Sequence, residues 1–320
     1  MLQPVGIIKP ADCNGCALLY EGESSYNYIQ VATRPGNGGD DIYLILNEGK
    51  AIHSVYRTAF ARSGDPRDLL TNGPWDYFNV APYFYPNRDP ESITSLALIG
   101  SAAGTVPKQF LTLYGADSRI DSVEIDPQIV DIGRRFFAME DQDPRFPNYR
   151  THVQDGRVFI ELTDQKYDVI GMDAYRQPYI PFHLTTRQFF ETVRAHLTPD
   201  GVAVVNAGKP GTDYRLVEVL ASTMKAVFPQ VFLIDVPSYG NTIIVGVNRP
   251  VGDGVANFVA NYQRIQDPTL RHIMATALAS DERKLPVREW TGEGPVFTDD
   301  WAPVEWVIDQ IIIEQVEQVQ

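Results

Sequence analysis

The residues best suited to chemistry in this chain are a glycine turn and several acids, each placed just after an apolar run. One run ends in the turn GSAAG at residues 100–104, a second ends at Glu124, and a third is followed by Asp155 and Gly156. A tight turn lets backbone N–H groups approach a ligand, and a carboxylate after the second strand accepts hydrogen bonds from paired ribose hydroxyls. This order predicts a binding site for a nucleoside, with Glu124 as the ribose-binding acid.

The sequence of the glycine turn indicates which kind of nucleoside-bearing ligand the predicted site binds. In the dinucleotide fingerprint G-x-G-x-x-G, a pyrophosphate requires glycines at positions that Ser101 and Ala102 occupy here. An S-adenosyl group carries no phosphate and tolerates these side chains, so the turn favours an S-adenosyl ligand. The alternative is an ordinary strand–turn–helix crossover with an acid nearby by chance.

The hydrophobic pattern predicts the elements that position these residues. Residues 17–60 contain short β-branched runs separated by the turn at 35–39, which is typical of antiparallel hairpins. From about residue 94 onward, short buried strands alternate with amphipathic helices. That rhythm predicts a parallel sheet with crossover helices.

The second half continues the rhythm and completes the expected fold. It predicts a strand at 167–172, a helix at 185–197 capped by Thr185 or Thr186, a strand after the turn at 199–201, and a helix at 213–228. The strands VFLIDV and NTIIVGV adjoin through a short turn, so we expect an antiparallel pair at one edge of the sheet. We therefore expect an α/β protein with a mostly parallel sheet and helices on both faces. Its parts are a small antiparallel β domain at 1–90, a Rossmann-like domain at 91–250 and a helical extension packed on the sheet at 251–320.

Composition describes a globular chain and excludes some functions. The 320 residues are 44% hydrophobic and 21% charged, with no apolar run long enough to span a membrane and no leader pattern at the start. The net charge of −14 argues against a nucleic acid partner, which requires clustered lysine and arginine. The same charge suits a cationic substrate, although acidic surfaces also serve solubility.

The cysteines and histidines do not predict a metal centre. Cys13 and Cys16 form a single C-x-x-C pair, and the five histidines show no ligand spacing, whereas a structural zinc site needs four ligands. The pair does not open a helix after a strand as a thioredoxin-like pair does. We therefore expect two reduced thiols and no bound metal.

Four segments together resemble the aminopropyltransferases of the spermidine synthase family: LIGSAAG, VEIDP, VQDGR and the run DAYRQPYIPFHLTTRQFF at residues 173–190. The resemblance covers most of the chain and is nearest to bacterial spermidine-synthase-like proteins, many of which carry this domain behind a membrane-embedded region. It implies a class I S-adenosylmethionine-type fold, decarboxylated S-adenosylmethionine as donor, an amine as acceptor and a homodimer. It also implies a cytoplasmic protein, either a soluble member or the soluble part of a membrane-anchored one.

The resemblance also implies a set of donor-binding residues. Glu124 would hold the ribose, and Asp155 would face the adenine amino group, with Gly156 letting the ring approach. The full expected set is Gly100, Ser101, Gly104, Glu124, Asp126, Asp155 and Gly156.

The acceptor side departs from the family pattern. The family's active-site loop reads D-S-x-D-P, and Asp173 keeps its first aspartate while Arg176 replaces the second. Ala103 stands where the family has an aspartate in the glycine turn. The segment VPSY at residues 236–239 matches the family's P-T-Y, which implies that Tyr239 lines the acceptor pocket.

Arg176 decides how far the family reaction extends to this chain. A guanidinium repels a diamine but pairs well with a carboxylate, either of an acidic acceptor or of intact S-adenosylmethionine. The alternative is that Arg176 points away from the pocket or pairs with Asp173. In the same loop, His183 is suited to act as a base near neutral pH, and Tyr175 and Tyr179 to stack on a cation, with loop packing as the alternative for all three.

These residues support three functional hypotheses. The first is transfer of an aminopropyl group to an amine, with Asp173, Tyr175, Arg176, His183 and Tyr239 around the acceptor. The second keeps the fold but uses intact S-adenosylmethionine to transfer a methyl or aminocarboxypropyl group to a carboxylate-bearing, amino-acid-like acceptor. The third is a nucleoside-binding domain without catalysis, since fold resemblance does not settle function.

Overall fold

Two β-sheets organise the chain, a small antiparallel one followed by a larger mixed one. The computed structural model describes residues 13–47, 51–176, 179–236, 239–280 and 284–319, with side chains up to residue 314. Within these residues, no helix is long and apolar enough to cross a lipid bilayer.

The first sheet is a four-stranded antiparallel meander in chain order. Its hairpin between the second and third strands closes where Gly36 pairs with Gly39, which confirms the predicted turn at 35–39. The strands are β1 (Ala17–Glu23), β2 (Tyr28–Gly36), β3 (Gly39–Leu46) and β4 (Ile52–Arg57).

The second sheet has eight strands, in the order β12-β10-β11-β9-β8-β5-β6-β7. The five strands from β9 to β7 in that order are parallel, whereas β11, β10 and β12 are antiparallel to their neighbours. The predicted antiparallel pair, β10 and β11, is thus confirmed, but it does not form the edge of the sheet, because the short strand β12 pairs with the outer side of β10. The strands are β5 (Ser95–Ile99), β6 (Arg119–Glu124), β7 (Tyr149–Val153), β8 (Tyr167–Met172), β9 (Leu197–Gly208), β10 (Gln230–Asp235), β11 (Asn241–Val247) and β12 (Arg288–Glu289).

Helices cover both faces of the second sheet, as predicted, and each face has its own apolar core. The α-helices of the described residues are α1 (Ala59–Ser63), α2 (Pro74–Phe78), α3 (Thr105–Tyr114), α4 (Pro127–Phe136), α5 (Gly156–Leu162), α6 (Arg187–Ala195), α7 (Arg215–Lys225), α8 (Gly254–Arg264), α9 (Pro268–Leu278) and α10 (Val304–Val319). The helix predicted at 185–197 is α6, and its N-cap is Thr186, whose hydroxyl accepts from the Phe189 N–H at 3.2 Å.

One strand boundary differs from the prediction. The turn expected at residues 199–201 lies inside β9, which begins at Leu197 and shifts register against β8 between Tyr167 and Val169. The register irregularity lets the chain stay paired through a Pro-Asp-Gly sequence that would otherwise end a strand.

The prediction of two reduced thiols is wrong, since Cys13 and Cys16 form a disulfide. A tight turn brings their Cα atoms to 5.6 Å, within the range that a disulfide spans. Gly15 has a φ of +75°, which only glycine adopts readily, and the Cys16 N–H donates to the Cys13 carbonyl.

Hydrogen bonds dock the first sheet onto the glycine turn of the second. The Ser54 hydroxyl accepts from the Ala103 N–H at 3.0 Å, and Thr105 exchanges hydrogen bonds with both backbone groups of Val55. Strand β4 therefore lies directly against the start of α3. This contact also places His53 of β4 at the edge of the larger sheet where the glycine turn lies.

Candidate active site

The glycine turn after β5 requires its first glycine. Gly100 has a φ of +78°, and a Cβ there would lie 2.6 Å from backbone atoms of Asp173 and Ala174. Its N–H donates to the Val123 carbonyl at 2.9 Å, which ties the turn to β6. Because no side chain stands between them, the turn and the loop after β8 approach each other closely.

Glu124 lies at the end of β6 with its carboxylate fixed by the backbone. One oxygen accepts from the Ala102 N–H at 3.0 Å and the other from the Asp126 N–H at 3.1 Å. The residue is 7% exposed, and burial raises the pKa of its carboxyl to about 7 despite those two hydrogen bonds. The predicted ribose acid is therefore held rigidly, next to the turn.

Asp155 follows β7 and has a partner that the sequence did not predict. One of its oxygens caps α5 by accepting from the N–H groups of Arg157 and Val158. The other lies 2.9 Å from His183 Nε2, within hydrogen-bonding distance. Next to it, a Cβ on Gly156 would lie 2.1 Å from Ile99, so glycine is required for the close approach to β5.

These residues line a cavity of about 430 Å³, here named the glycine-turn cavity. Its size falls within the range of small-molecule sites. Eight of the residues singled out in the sequence line it, namely Gly100, Glu124, Asp155, Gly156, Asp173, Tyr175, Arg176 and His183.

Three of the predicted donor-binding residues lie outside that lining. Asp126 is fully buried, caps α4 and accepts from Ser24 and Asn27, so it clamps the first sheet to the second. Ser101 is buried without a hydroxyl partner among the described residues, and Gly104 packs near Met139 with a φ of +89°. These residues shape the turn and the domain contact.

A second cavity of about 370 Å³, here named the Trp75 cavity, adjoins the first. It is lined by Trp75 from α2, Tyr239 before β11 and the first part of α10, among others. The rings of Trp75 and Tyr239 meet edge to face with centroids 6.0 Å apart. Of the predicted segment at 236–239, Pro237 and Ser238 lie outside the described residues.

The two cavities share Asp173, Tyr175 and His53 in their linings. A ligand in one cavity can therefore meet a ligand in the other at these three side chains. Such a boundary suits a reaction between two substrates, because each is held with its reacting atom toward the other.

Asp173 follows β8 and is the acid at this boundary. Its Oδ1 accepts from the Asn206 side-chain amide at 2.8 Å, and Asn206 in turn accepts from Asn241 at 2.9 Å. Burial raises the pKa of the Asp173 carboxyl to about 7, and hydrogen bonds from Asn206 and Trp75 oppose that rise. An acid with this pKa can accept a proton near neutral pH.

The Tyr175 hydroxyl donates to the Asn206 backbone carbonyl at 2.7 Å. Burial and the Asp173 charge both raise the pKa of this tyrosine, so it stays neutral.

His53 was not predicted to belong to the site. Its Nε2 is buried without a hydrogen-bond partner among the described residues, and burial lowers the pKa of the imidazole to about 4. His53 is therefore neutral and adds no positive charge at the boundary. No sequence signal distinguishes it from the other histidines, because only the docking of β4 brings it here.

Arg176 is exposed, lines the glycine-turn cavity and has no carboxylate partner among the described residues. Its backbone pairs with that of Tyr179, and the Tyr179 hydroxyl donates to Asp309 of α10 at 2.7 Å. The loop after β8 is thus tied to α10. The guanidinium is left free to face an anionic ligand group.

Comparison with known proteins relates this site to a family. The family described as spermine/spermidine synthase domain matches residues 96–248. A probable polyamine aminopropyl transferase of Bifidobacterium longum is 31% identical over 316 residues, which cover 93% of this chain and 65% of that protein. The match thus spans slightly under two thirds of that relative's length. A polyamine aminopropyltransferase of Vibrio vulnificus is 29% identical, with 93% of each chain covered.

A solved structure supports the fold. A probable spermidine synthase from Corynebacterium glutamicum superimposes with a TM-score of 0.62 at 22% identity, covering 90% of this chain and 91% of that one. The expected α/β fold, with an antiparallel sheet ahead of a mostly parallel one, is confirmed.

Proposed function

Because residues 96–248 match the spermine/spermidine synthase domain and the chain is similar to polyamine aminopropyltransferases, we propose that it is a member of that family and transfers an aminopropyl group from decarboxylated S-adenosylmethionine to an amine. The donor occupies the glycine-turn cavity, and the amine occupies the Trp75 cavity. The single observation that carries this proposal is the shared boundary of the two cavities at Asp173, Tyr175 and His53.

The transfer is a direct displacement. The amine nitrogen gives its lone pair to the carbon next to the sulfonium, and a C–N bond forms as the C–S bond breaks. The electron pair of the C–S bond goes to sulfur, which leaves the neutral thioether methylthioadenosine. The proton lost by the attacking nitrogen passes to the Asp173 carboxylate, whose pKa of about 7 suits that task.

The remaining residues position the substrates and keep the boundary free of repulsion. Glu124 accepts hydrogen bonds from the ribose hydroxyls, and Gly156 lets the ring system approach the end of β5. The neutral His53 does not oppose the sulfonium or the ammonium. Since the sulfonium is already activated, most of the rate enhancement comes from positioning.

Calorimetry and mass spectrometry test this proposal together. The purified chain is titrated with decarboxylated S-adenosylmethionine, intact S-adenosylmethionine and methylthioadenosine, with and without amine, and the mixtures are then analysed by mass. Tight binding of the decarboxylated donor with an aminopropylated product supports the proposal. Binding without product on any amine contradicts it and favours the non-catalytic hypothesis.

Arg176 supports a second candidate, a transferase that uses intact S-adenosylmethionine. Arg176 lines the glycine-turn cavity without a described acid partner. A guanidinium there suits the carboxylate that only the intact donor carries. This candidate predicts that the chain prefers the intact donor and that Arg176→Met removes that preference. If donor preference is unchanged in Arg176→Met, Arg176 does not select the donor.

A homodimer and a cytoplasmic location stay predictions. Size-exclusion chromatography with light scattering measures the first, since a dimer has twice the 35.8 kDa mass of the chain. Fractionation of the source cells measures the second.

A further inference from the structure

We propose that the acceptor is a primary amine with an apolar tail, and not a diamine. This inference rests on the proposed transfer function and specifies the substrate class of the same site. It follows from how polar and apolar groups are distributed around the Trp75 cavity.

Three polar side chains of this cavity lie together where β8 and β9 end and β11 begins. Asn241 donates to Asn206, and Asn206 donates to Asp173, so the two amides support one carboxylate. Asp173 is the acid among the described residues that line the cavity, and it lies at the boundary with the glycine-turn cavity. This single carboxylate can pair with the reacting nitrogen of the amine.

Away from that boundary, much of the wall is apolar. Helices α2, α7 and α10 each contribute to them, and two of the α10 residues, Ile308 and Ile311, are only 6% and 3% exposed. The apolar lining residues of these three helices are Pro74, Trp75, Leu216, Ile308, Ile311 and Ile312.

Acids on the surrounding elements are bound to other partners. Asp76, next to Trp75, accepts from both the N–H and hydroxyl groups of Thr71 and from Gln109. Asp213 and Glu314 both pair with Arg215. None of these three acids lines the cavity in the part of the chain that the structure describes.

Asp235, at the end of β10, likewise has partners outside the cavity. It accepts from Thr242 and Tyr214 and pairs with Arg288, and it does not line the cavity. A second ammonium group in this cavity would therefore gain no carboxylate from the described residues that line it, and burying it there without one is strongly unfavourable. An alkyl or aryl tail in the same place gains from burial against the isoleucines and Trp75.

Two amines of equal heavy-atom number test the inference directly. n-Pentylamine and butane-1,4-diamine differ only at the far end, where one carries a methyl group and the other an ammonium group. Each is titrated into the full chain saturated with methylthioadenosine, and each is also offered with decarboxylated S-adenosylmethionine. We expect pentylamine to bind at least about tenfold more tightly and to have the higher kcat/KM.

The two readouts separate this inference from the proposed function. Equal or tighter binding of the diamine overturns the inference, while an aminopropylated diamine still upholds the transfer. If pentylamine binds more tightly but no amine yields a product, the proposed transfer is wrong, whereas the preference of the cavity for an apolar tail still stands.

A matched pair of variants locates the apolar end on α10. Ile312 lines the cavity and is 40% exposed, whereas its neighbour Ile313 is 50% exposed and does not line it. Ile312→Glu should shift the ratio of diamine to monoamine affinity toward the diamine by at least about tenfold, while Ile313→Glu leaves it unchanged. An unchanged ratio in a folded Ile312→Glu chain overturns the assignment of α10 as the wall around the tail.

Discussion

The glycine-turn cavity and the Trp75 cavity meet at one boundary but are assembled in different ways. The first takes much of its lining from the ends of β5, β6 and β7, which follow one another closely in the chain. The second draws on α2, β9, the start of β11 and α10, which lie far apart in sequence.

Because of this difference, the lining of one cavity can change without the lining of the other. In the glycine-turn cavity, backbone geometry fixes the groups, since Gly100 and Gly156 leave no space for side chains and backbone N–H groups orient Glu124. In the Trp75 cavity, exchangeable side chains on separate helices set the character of the walls. Acceptor preference can therefore change while donor binding stays the same.

The largest expected effect is on the shared boundary. Asp173→Asn should lower kcat at least about a hundredfold, because it removes the proton acceptor for the amine. Donor affinity, which depends on Glu124, should change little in the same calorimetric titration. Asn206→Ala, which keeps the carboxylate but removes its hydrogen bond, serves as the control and should lose less activity. A large loss of donor affinity in Asp173→Asn would show that the two cavities are not separable.

The next effect is confined to the glycine-turn cavity. Glu124→Gln should weaken donor binding about tenfold to a hundredfold, the usual cost of losing hydrogen bonds to a charged group. Amine KM at saturating donor should stay unchanged. The matched control is Asp126→Asn, a buried acid off the cavity, which should lower stability more than donor affinity. Equal losses of affinity in both variants would contradict the assignment of Glu124 to the ribose.

The pH dependence of stability tests a property that both cavities share. Burial raises the pKa of Asp173 and of Glu124 to about 7, from ordinary values of 3.8 and 4.5. The folded chain therefore keeps protons that the unfolded chain releases. Its free energy of unfolding falls as the pH rises from about 4 to about 7.

Substitution of either acid should remove part of that fall. We consider the free energy of unfolding of each variant minus that of the unaltered chain. For both Asp173→Asn and Glu124→Gln, this difference should be more favourable to the variant at about pH 8 than at about pH 5, by on the order of 1 kcal/mol. Urea unfolding at the two pH values measures the difference. If the stability difference is the same at both, neither acid titrates near pH 7 in the folded chain.

The smallest effect concerns only the Trp75 cavity. Tyr179→Phe removes the hydrogen bond from the loop after β8 to Asp309 of α10, and should raise amine KM about twofold to tenfold without changing donor affinity. Asp309→Asn should reproduce the effect, and the double variant should be no worse than either single one. Additive losses would show that the two residues act separately.

Much of the fold followed from local patterns. The hairpin turn at 35–39, the antiparallel β10–β11 pair and the Thr186 cap were predicted because alternation, short loops and capping residues act over a few neighbouring positions. The disulfide between Cys13 and Cys16 was missed, since the pairing depends on the conformation of the turn between them. The continuous strand β9 was missed because a register shift against β8 keeps it paired.

The sequence by itself determined that Gly100, Glu124, Asp155 and Gly156 line one cavity, since they lie at strand ends that must meet in a parallel sheet. Tertiary structure alone decided the rest. It brought His53 to the boundary through the docking of β4, turned Asp126 into a clamp between the sheets and placed the isoleucines of α10 in the wall of the Trp75 cavity. These contacts join residues distant in the chain, and no local pattern encodes which of them will meet.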